Sequence, residues 1–126
     1  MRIGPNNPLD TLNEVIEEEG IPLEDHIKKI DAVLPEVLEG VDNKFIEIIN
    51  STVTKKAKIA ELNNWYRLID RCMYYLTQRF KDQGNNLTVR KALHEEKLNC
   101  HLIIILIEGD HDREKILQLA FPNSKQ

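Results

Sequence analysis

The side chains best suited to bind another molecule form a stripe in the middle of the chain. Spacings of three and four residues place six side chains on one face of a helix, namely Asn63, Arg67, Arg71, Tyr74, Gln78 and Lys81. Arginine and lysine neutralise phosphates, whereas tyrosine and glutamine can stack on a base or hydrogen-bond to it. Binding of nucleic acid is therefore one interpretation of this stripe. The other is a solvated helix face that pairs with acidic residues elsewhere in the chain.

Charge is divided unevenly along the 126 residues. Residues 1–51 carry 12 acidic and 4 basic side chains, whereas residues 52–126 carry 9 acidic and 13 basic ones. The two halves are thus complementary in sign, which favours surface pairing between early acidic helices and a later basic helix. The net charge of −4 and the pI near 5.6 argue against a dedicated nucleic-acid-binding domain, since such domains are usually basic.

Two glutamate pairs have a spacing found in helix-borne metal sites. Glu14 with Glu17, and Glu36 with Glu39, each form a Glu-x-x-Glu pair. This spacing resembles that of the all-α nucleotide pyrophosphatases of the MazG type, in which Glu-x-x-Glu and Glu-x-x-Asp pairs on facing helices hold magnesium. No Glu-x-x-Asp pair accompanies these glutamates at the expected place. A metal-dependent nucleotide hydrolase is therefore only an alternative.

A second resemblance involves the apolar run 102–107. The run is followed by Glu108 and Gly109, with Asp112 three positions after the glycine. This pattern resembles the first motif of Toprim domains, whose glutamate works beside a downstream Asp-x-Asp pair that holds magnesium. The sequence ends at Gln126, before a second βα unit could supply that pair, so we expect no catalytic role for Glu108.

Histidine and cysteine form no recognisable metal or redox motif. Cys72 and Cys100 lie in different segments without a Cys-x-x-Cys spacing, which predicts two buried free thiols. His94 and His101 are seven residues apart, whereas zinc-binding pairs on a helix are normally four apart. We therefore expect no metal and no cofactor. A non-enzymatic role is favoured, although enzyme activity is left open.

Apolar spacing predicts a mostly helical chain. A first helix begins at Asn7-Pro8 and ends before Gly20, and a second opens at Pro22. Pro35 inside this second helix predicts a kink or break near Leu34. A long central helix is predicted from about Lys55 to Gln83, and a short last helix is predicted to be capped by Asp110. Further predicted boundaries are segment ends at Gly40, Gly84 and Gly109, a loop at Asn85-Asn86 and an N-cap at Thr88. Residues 42–59 suit either a helix or a short hairpin.

The β-branched residues at 101–107 suit either a helix or a buried strand. A lone strand would leave its backbone groups unpaired, and few other segments resemble strands, which favours a helix. The prediction is one all-α domain over residues 1–126, a bundle of four to six helices with one long central helix. The alternative is an α+β fold with a short strand near 101–107.

The same run carries the functional interpretation. On a helix, six consecutive apolar residues cover the whole circumference, more than a small bundle needs to bury. We therefore expect a non-enzymatic interaction module or regulatory adaptor. It would self-associate through Ile103, Ile104, Ile105 and Ile107. The expected partners are a second copy of the chain and another protein, with nucleic acid as the alternative. Without a signal peptide or a long apolar stretch, we expect a cytoplasmic protein that does not enter a membrane.

Overall fold

Five α-helices make up the described part of the chain. The computed structural model describes residues 7–81, 83 and 87–123, and these contain no strand. The helices are α1 (Pro8–Glu17), α2 (Leu23–Asn50), α3 (Lys55–Phe80), α4 (Thr88–Glu108) and α5 (Arg113–Ala120). The predicted all-α bundle is confirmed. Residues 101–107 belong to α4, so the alternative of a strand there is wrong.

Each helix turns one apolar face toward a common core. The buried face of α3 consists of Leu62, Trp65, Ile69, Cys72, Leu76 and Phe80. α3 packs most extensively against α4 and also contacts α1 and α2, while α5 lies against α2 and α4. This arrangement buries the apolar seam of α3 and leaves its opposite face in solvent.

Local capping explains where several helices begin and end. Asn7 Oδ1 accepts a hydrogen bond from the Leu9 amide at 2.9 Å, and Pro8 occupies the first turn of α1, as the sequence predicts. Gly20 follows α1 with a φ of +76°, a conformation that glycine adopts without steric cost. The predicted cap of α5 is wrong, because Asp112 caps it by accepting from the Lys115 amide at 2.8 Å. Asp110 precedes that cap in a left-handed turn.

The second helix is longer than the sequence suggests. α2 runs for 28 residues through both Pro35 and Gly40, so the predicted break and the predicted segment end are wrong. Pro35 and Asp31, whose carbonyl loses its donor, both lie on the exposed side, where water can replace the missing hydrogen bond. Gly40 marks a close approach instead, since a Cβ there would lie 2.9 Å from the Pro8 Cβ. The helix includes residues 42–50, which excludes the hairpin.

The third helix begins where predicted and stops earlier. Thr54 caps α3 by accepting from the Ala57 amide at 3.1 Å. α3 ends at Phe80 rather than Gln83, because Lys81 adopts a positive φ of 50°. With 26 residues, α3 is not the one long helix of the bundle, since α2 is of similar length. Leu87, not Thr88, is the N-cap residue of α4. The predicted boundaries at Gly84 and Asn85-Asn86 lie outside the described residues.

Candidate functional site

The six side chains of the predicted stripe share one exposed face of α3 and its C-cap. All six are solvent-exposed, and they lie opposite the buried seam of the helix. We call this set, Asn63, Arg67, Arg71, Tyr74, Gln78 and Lys81, the α3 stripe. The structure therefore brings together the residues that the spacing predicts to be neighbours.

The two arginines of the α3 stripe are exposed to solvent. Within the described part of the chain, Arg67 and Arg71 form neither a hydrogen bond nor an ion pair. The nearby acidic residue Asp70 accepts from Lys97 of α4 at 2.6 Å, a hydrogen bond that raises the pKa of Lys97. Asp70 is thus already partnered, which leaves the stripe with a positive surface.

Pairing between the acidic half of the chain and α3 is slight in the described residues. The Arg79 guanidinium donates to the backbone carbonyl of Glu18, but Arg79 is not part of the α3 stripe. The Glu18 carboxylate forms its ion pair with Lys29, which lies in the same acidic half of the chain, with 2.5 Å between Lys29 Nζ and Glu18 Oε2.

The lysines at the start of α3 stabilise the ends of other helices. Lys55 Nζ donates to the Glu108 carbonyl at 3.1 Å and to Asp110 Oδ1 at 2.8 Å. Lys58 Nζ donates to the Ile49 carbonyl at 2.9 Å. Both lysines thereby satisfy carbonyl groups at the C-terminal ends of α4 and α2. Their role in the structure is helix capping.

Most residues of the predicted oligomer surface are buried within the bundle. Ile103, Ile104 and Ile107 are buried in the bundle, whereas Ile105 is 50% exposed. Two other large apolar side chains are exposed on the same helix, Leu98 at 58% and Leu102 at 36%. With spacings of four and three residues, Leu98, Leu102 and Ile105 lie on one face, and we call them the α4 strip.

A groove adjoins the α4 strip and shares Leu98 and Leu102 with it. It has a volume of about 730 Å³ and lies between α2, α4 and the segment that follows α5. Its apolar lining includes Leu38, Leu98, Leu102 and Phe121. Its ionisable lining in the described residues is entirely acidic and consists of Asp42, Glu95 and Glu96.

Glu96 is the most unusual of these carboxyl groups. Only 8% of the residue is exposed, and its Oε1 atom has no hydrogen-bond partner in the described residues. Burial raises the pKa of Glu96 from an ordinary value of 4.5 to about 9, and a hydrogen bond with Asp42 and the charges of Asp42 and Glu95 add to this effect. Burial and the neighbouring carboxylates therefore both favour the protonated form of Glu96.

Sequence reasoning did not single out Glu96, although a signal was present. It occupies a core position in the buried repeat of α4, which comprises Val89, Leu93, Glu96, Cys100, Ile103 and Ile107. A charged residue at such a position is a recognised indication of function. His26 is a second buried polar residue that was missed. Its Nε2 lies 2.7 Å from the Val15 carbonyl, and its ring packs on Phe80, which gives it a role in joining α1, α2 and α3.

The residues considered for metal chemistry do not come together. The four glutamates of the Glu-x-x-Glu pairs are exposed, as are His94, His101 and His111. The described residues contain no group of three or more His, Cys, Asp or Glu side chains that could hold a metal ion. Glu108 lies at the C-terminal end of α4, where its carbonyl accepts from Lys55.

Both cysteines are buried, as the sequence predicts, and neither is in a disulfide. Burial raises the pKa of the Cys72 thiol to about 12. Burial also raises the pKa of Cys100 to about 12, and Glu96 adds to this shift. Because the thiolate is the nucleophilic form, neither side chain is suited to nucleophilic catalysis at neutral pH.

Comparisons with protein-family models, with curated proteins and with solved structures find no match to this chain. Among the described helices, none has the length and hydropathy needed to cross a lipid bilayer.

Proposed function

We propose that the protein is a non-enzymatic helical interaction module that self-associates through the α4 strip. The observation that carries this proposal is the exposure of Leu98, Leu102 and Ile105 on one face of α4. An apolar row with helical spacing is suited to packing against another helix. Free buried thiols are typical of a reducing compartment, which supports a cytoplasmic location.

The size of the strip predicts weak association. Completing the burial of a half-exposed aliphatic side chain contributes about 1 kcal/mol. In a symmetric dimer each of the three side chains counts twice, so the strip contributes about 6 kcal/mol. Loss of translational and rotational freedom costs about 4–15 kcal/mol, so the strip by itself leaves at most about 2 kcal/mol. A dissociation constant of about 100 µM needs about 5.5 kcal/mol, so residues beside the strip must add to the contact. We therefore expect a weak dimer that forms only at high protein concentration and dissociates on dilution.

Substitution of the exposed isoleucine tests this proposal. Ile105→Asp places a charge in the contact and is expected to give a folded monomer at every concentration. Leu23→Asp is the matched control, because Leu23 is 40% exposed at the start of α2, away from the α4 strip. Light scattering after size exclusion should find that Leu23→Asp dimerises as the unmodified chain does. A monomeric unmodified chain at high concentration would refute self-association.

Nucleic-acid binding by the α3 stripe is the second candidate. It is supported by the exposure of all six stripe residues and by the lack of partners for Arg67 and Arg71 in the described residues. Because Trp65 is buried on the opposite side of α3, the suitable readout is the anisotropy of labelled RNA or DNA rather than tryptophan fluorescence. Phosphate binding predicts an affinity that falls steeply between about 50 and 200 mM salt.

A double charge reversal tests this second candidate. Arg67→Glu with Arg71→Glu is expected to abolish binding of short RNA or duplex DNA. The matched control is Lys28→Glu with Lys115→Glu, which makes the same change in net charge on exposed positions of α2 and α5. If both double variants lose binding equally, the α3 stripe is not the site. If the unmodified chain binds neither nucleic acid at the lower salt, this candidate is excluded.

A further inference from the structure

The acidic groove between α2 and α4 combines features of a ligand site. Its volume of about 730 Å³ is within the range of sites that hold small molecules. One part of the lining is aliphatic and aromatic, and another part carries carboxyl groups. We propose that this groove binds a small organic cation, in which an ammonium or guanidinium group is attached to an apolar stem.

The polar end of the site is built around Glu96. This residue is more than nine-tenths buried, and its Oε1 atom lacks a hydrogen-bond partner in the described residues. A buried acceptor without a partner costs stability. An N–H group of a bound cation would satisfy this acceptor, and the carboxylate of Asp42 would provide a second acceptor beside it.

The charges around Glu96 favour a positively charged ligand. Asp42 of α2 faces Glu96, and the charges of Asp42 and of Glu95 on α4 raise the pKa of Glu96. Glu96 in turn raises the pKa of the Cys100 thiol. No lysine or arginine is among the described residues that line the groove. The neighbouring cation on α4, Lys97, is held by Asp70 of α3. The groove therefore has acidic groups without a basic partner.

The apolar end of the site suits a hydrocarbon stem. Leu38 of α2 and Leu98 and Leu102 of α4 line the groove, together with Phe121 after α5. Burial of a stem of several methylene groups would contribute affinity, while the carboxyl groups would select the cation. A neutral molecule with the same stem should bind more weakly.

Binding of the cation is expected to release a proton. In the unliganded protein, burial beside Asp42 raises the pKa of Glu96 and so favours its protonated form. A neighbouring cation favours the ionised carboxylate, so the Glu96 proton passes to solvent while the ligand keeps its own protons. No covalent bond forms or breaks apart from this O–H bond. The observed binding enthalpy should then depend on the ionisation enthalpy of the buffer.

Isothermal titration calorimetry of the full chain with hexylammonium tests the site. We expect saturable binding, with 1-hexanol and the Glu96→Gln variant each weaker by about tenfold or more, as for loss of a charge-assisted hydrogen bond. Glu36→Gln, an exposed position of α2 outside the groove, should bind as the unmodified chain does. Titrations in phosphate and in Tris should differ in enthalpy for the unmodified chain and agree for Glu96→Gln.

Several outcomes would overturn the proposal. Equal affinity for hexylammonium and 1-hexanol would mean that the groove binds only the stem, and unchanged affinity in Glu96→Gln would exclude the carboxyl pair. A short lysine-containing peptide that binds more tightly than hexylammonium would replace the small ligand by a partner's side chain. Leu98 and Leu102 belong both to the α4 strip and to the groove lining, so a dimer formed through the strip would compete with the ligand. Ile105 does not line the groove, so the monomeric Ile105→Asp variant should bind hexylammonium normally. Titration of this variant tests the cation site separately from self-association.

Discussion

Replacement of Glu96 by glutamine should stabilise the protein at neutral pH by an amount that depends on pH. Glutamine has nearly the same shape, can still donate a hydrogen bond to Asp42, and cannot ionise. In the folded protein Glu96 has a pKa of about 9, whereas in the unfolded chain its pKa returns to about 4.5. Folding therefore requires Glu96 to take up a proton at any pH between these two values.

The magnitude follows from this difference in pKa. Below pH 4.5 both states are protonated, and Glu96 imposes no ionisation cost. Above that pH the unfolded state is increasingly favoured, by about 1.4 kcal/mol per pH unit, until the pH passes the folded pKa. At pH 7 the cost is about 3 kcal/mol. Glu96→Gln should remove it, so the stabilising effect of the variant should grow with pH from near zero in mild acid.

Urea unfolding of both proteins at about pH 5, 6, 7 and 8, followed by circular dichroism, measures this effect. The control is Glu36→Gln, because Glu36 is exposed on α2 outside the groove and should cause a small change that varies little with pH. If the difference in unfolding free energy between Glu96→Gln and the unmodified chain does not change with pH, Glu96 is ionised in the folded protein and the reasoning is refuted.

The remaining predictions concern the core and the turns. Ile104 is 7% exposed, so Ile104→Asp should lower the free energy of unfolding by several kcal/mol and unfold the chain. Ile105→Asp should keep the circular dichroism spectrum of the unmodified chain. Equal effects of the two substitutions would contradict the orientation of α4. Gly20→Ala should lower the free energy of unfolding by about 1–2 kcal/mol in urea titrations, because φ is +76° there; an unchanged midpoint would contradict this backbone conformation. Cys72 and Cys100 should react with a thiol reagent only in denaturant, and rapid labelling of the folded protein would show that they are accessible.

The sequence predicts most of the helical elements because their signals are local. The Asn7-Pro8 start of α1 depends on one cap and one proline. The buried seam of α3 follows from a regular spacing of apolar residues that can be recognised in this sequence alone. The prediction of a helix at 101–107 is confirmed; it depended on the need of a strand for a hydrogen-bonded partner and on the small number of other segments that resemble strands.

The features that the sequence did not predict depend on tertiary packing. Glycine often ends a helix, and for that reason the sequence predicts a segment end at Gly40. In the structure Gly40 lies inside α2, where its lack of a side chain lets Pro8 approach closely. Pro35 is tolerated because it lies on the solvent side of α2, and its orientation depends on the packing of the whole helix. The polar end of the groove requires Asp42 and Glu96 to meet across two helices, a register that spacing within one helix does not contain.

The predicted oligomer surface shows the same limit. A run of six apolar residues on a helix has side chains on every side, and the sequence does not indicate which of them face the core and which face solvent. The packing of α4 resolves this by burying Ile103, Ile104 and Ile107 and leaving Ile105 in solvent. The candidate contact therefore shifts toward Leu98 and Leu102, which lie on the same exposed face.

Sedimentation velocity over a wide concentration range tests self-association most directly. The proposal predicts that the unmodified chain and Leu23→Asp shift together from monomer to dimer as protein concentration rises from about 5 to 500 µM. Ile105→Asp should remain a folded monomer throughout that range. An unmodified chain that stays monomeric at the highest concentration, or an Ile105→Asp variant that dimerises as the unmodified chain does, would contradict the proposal.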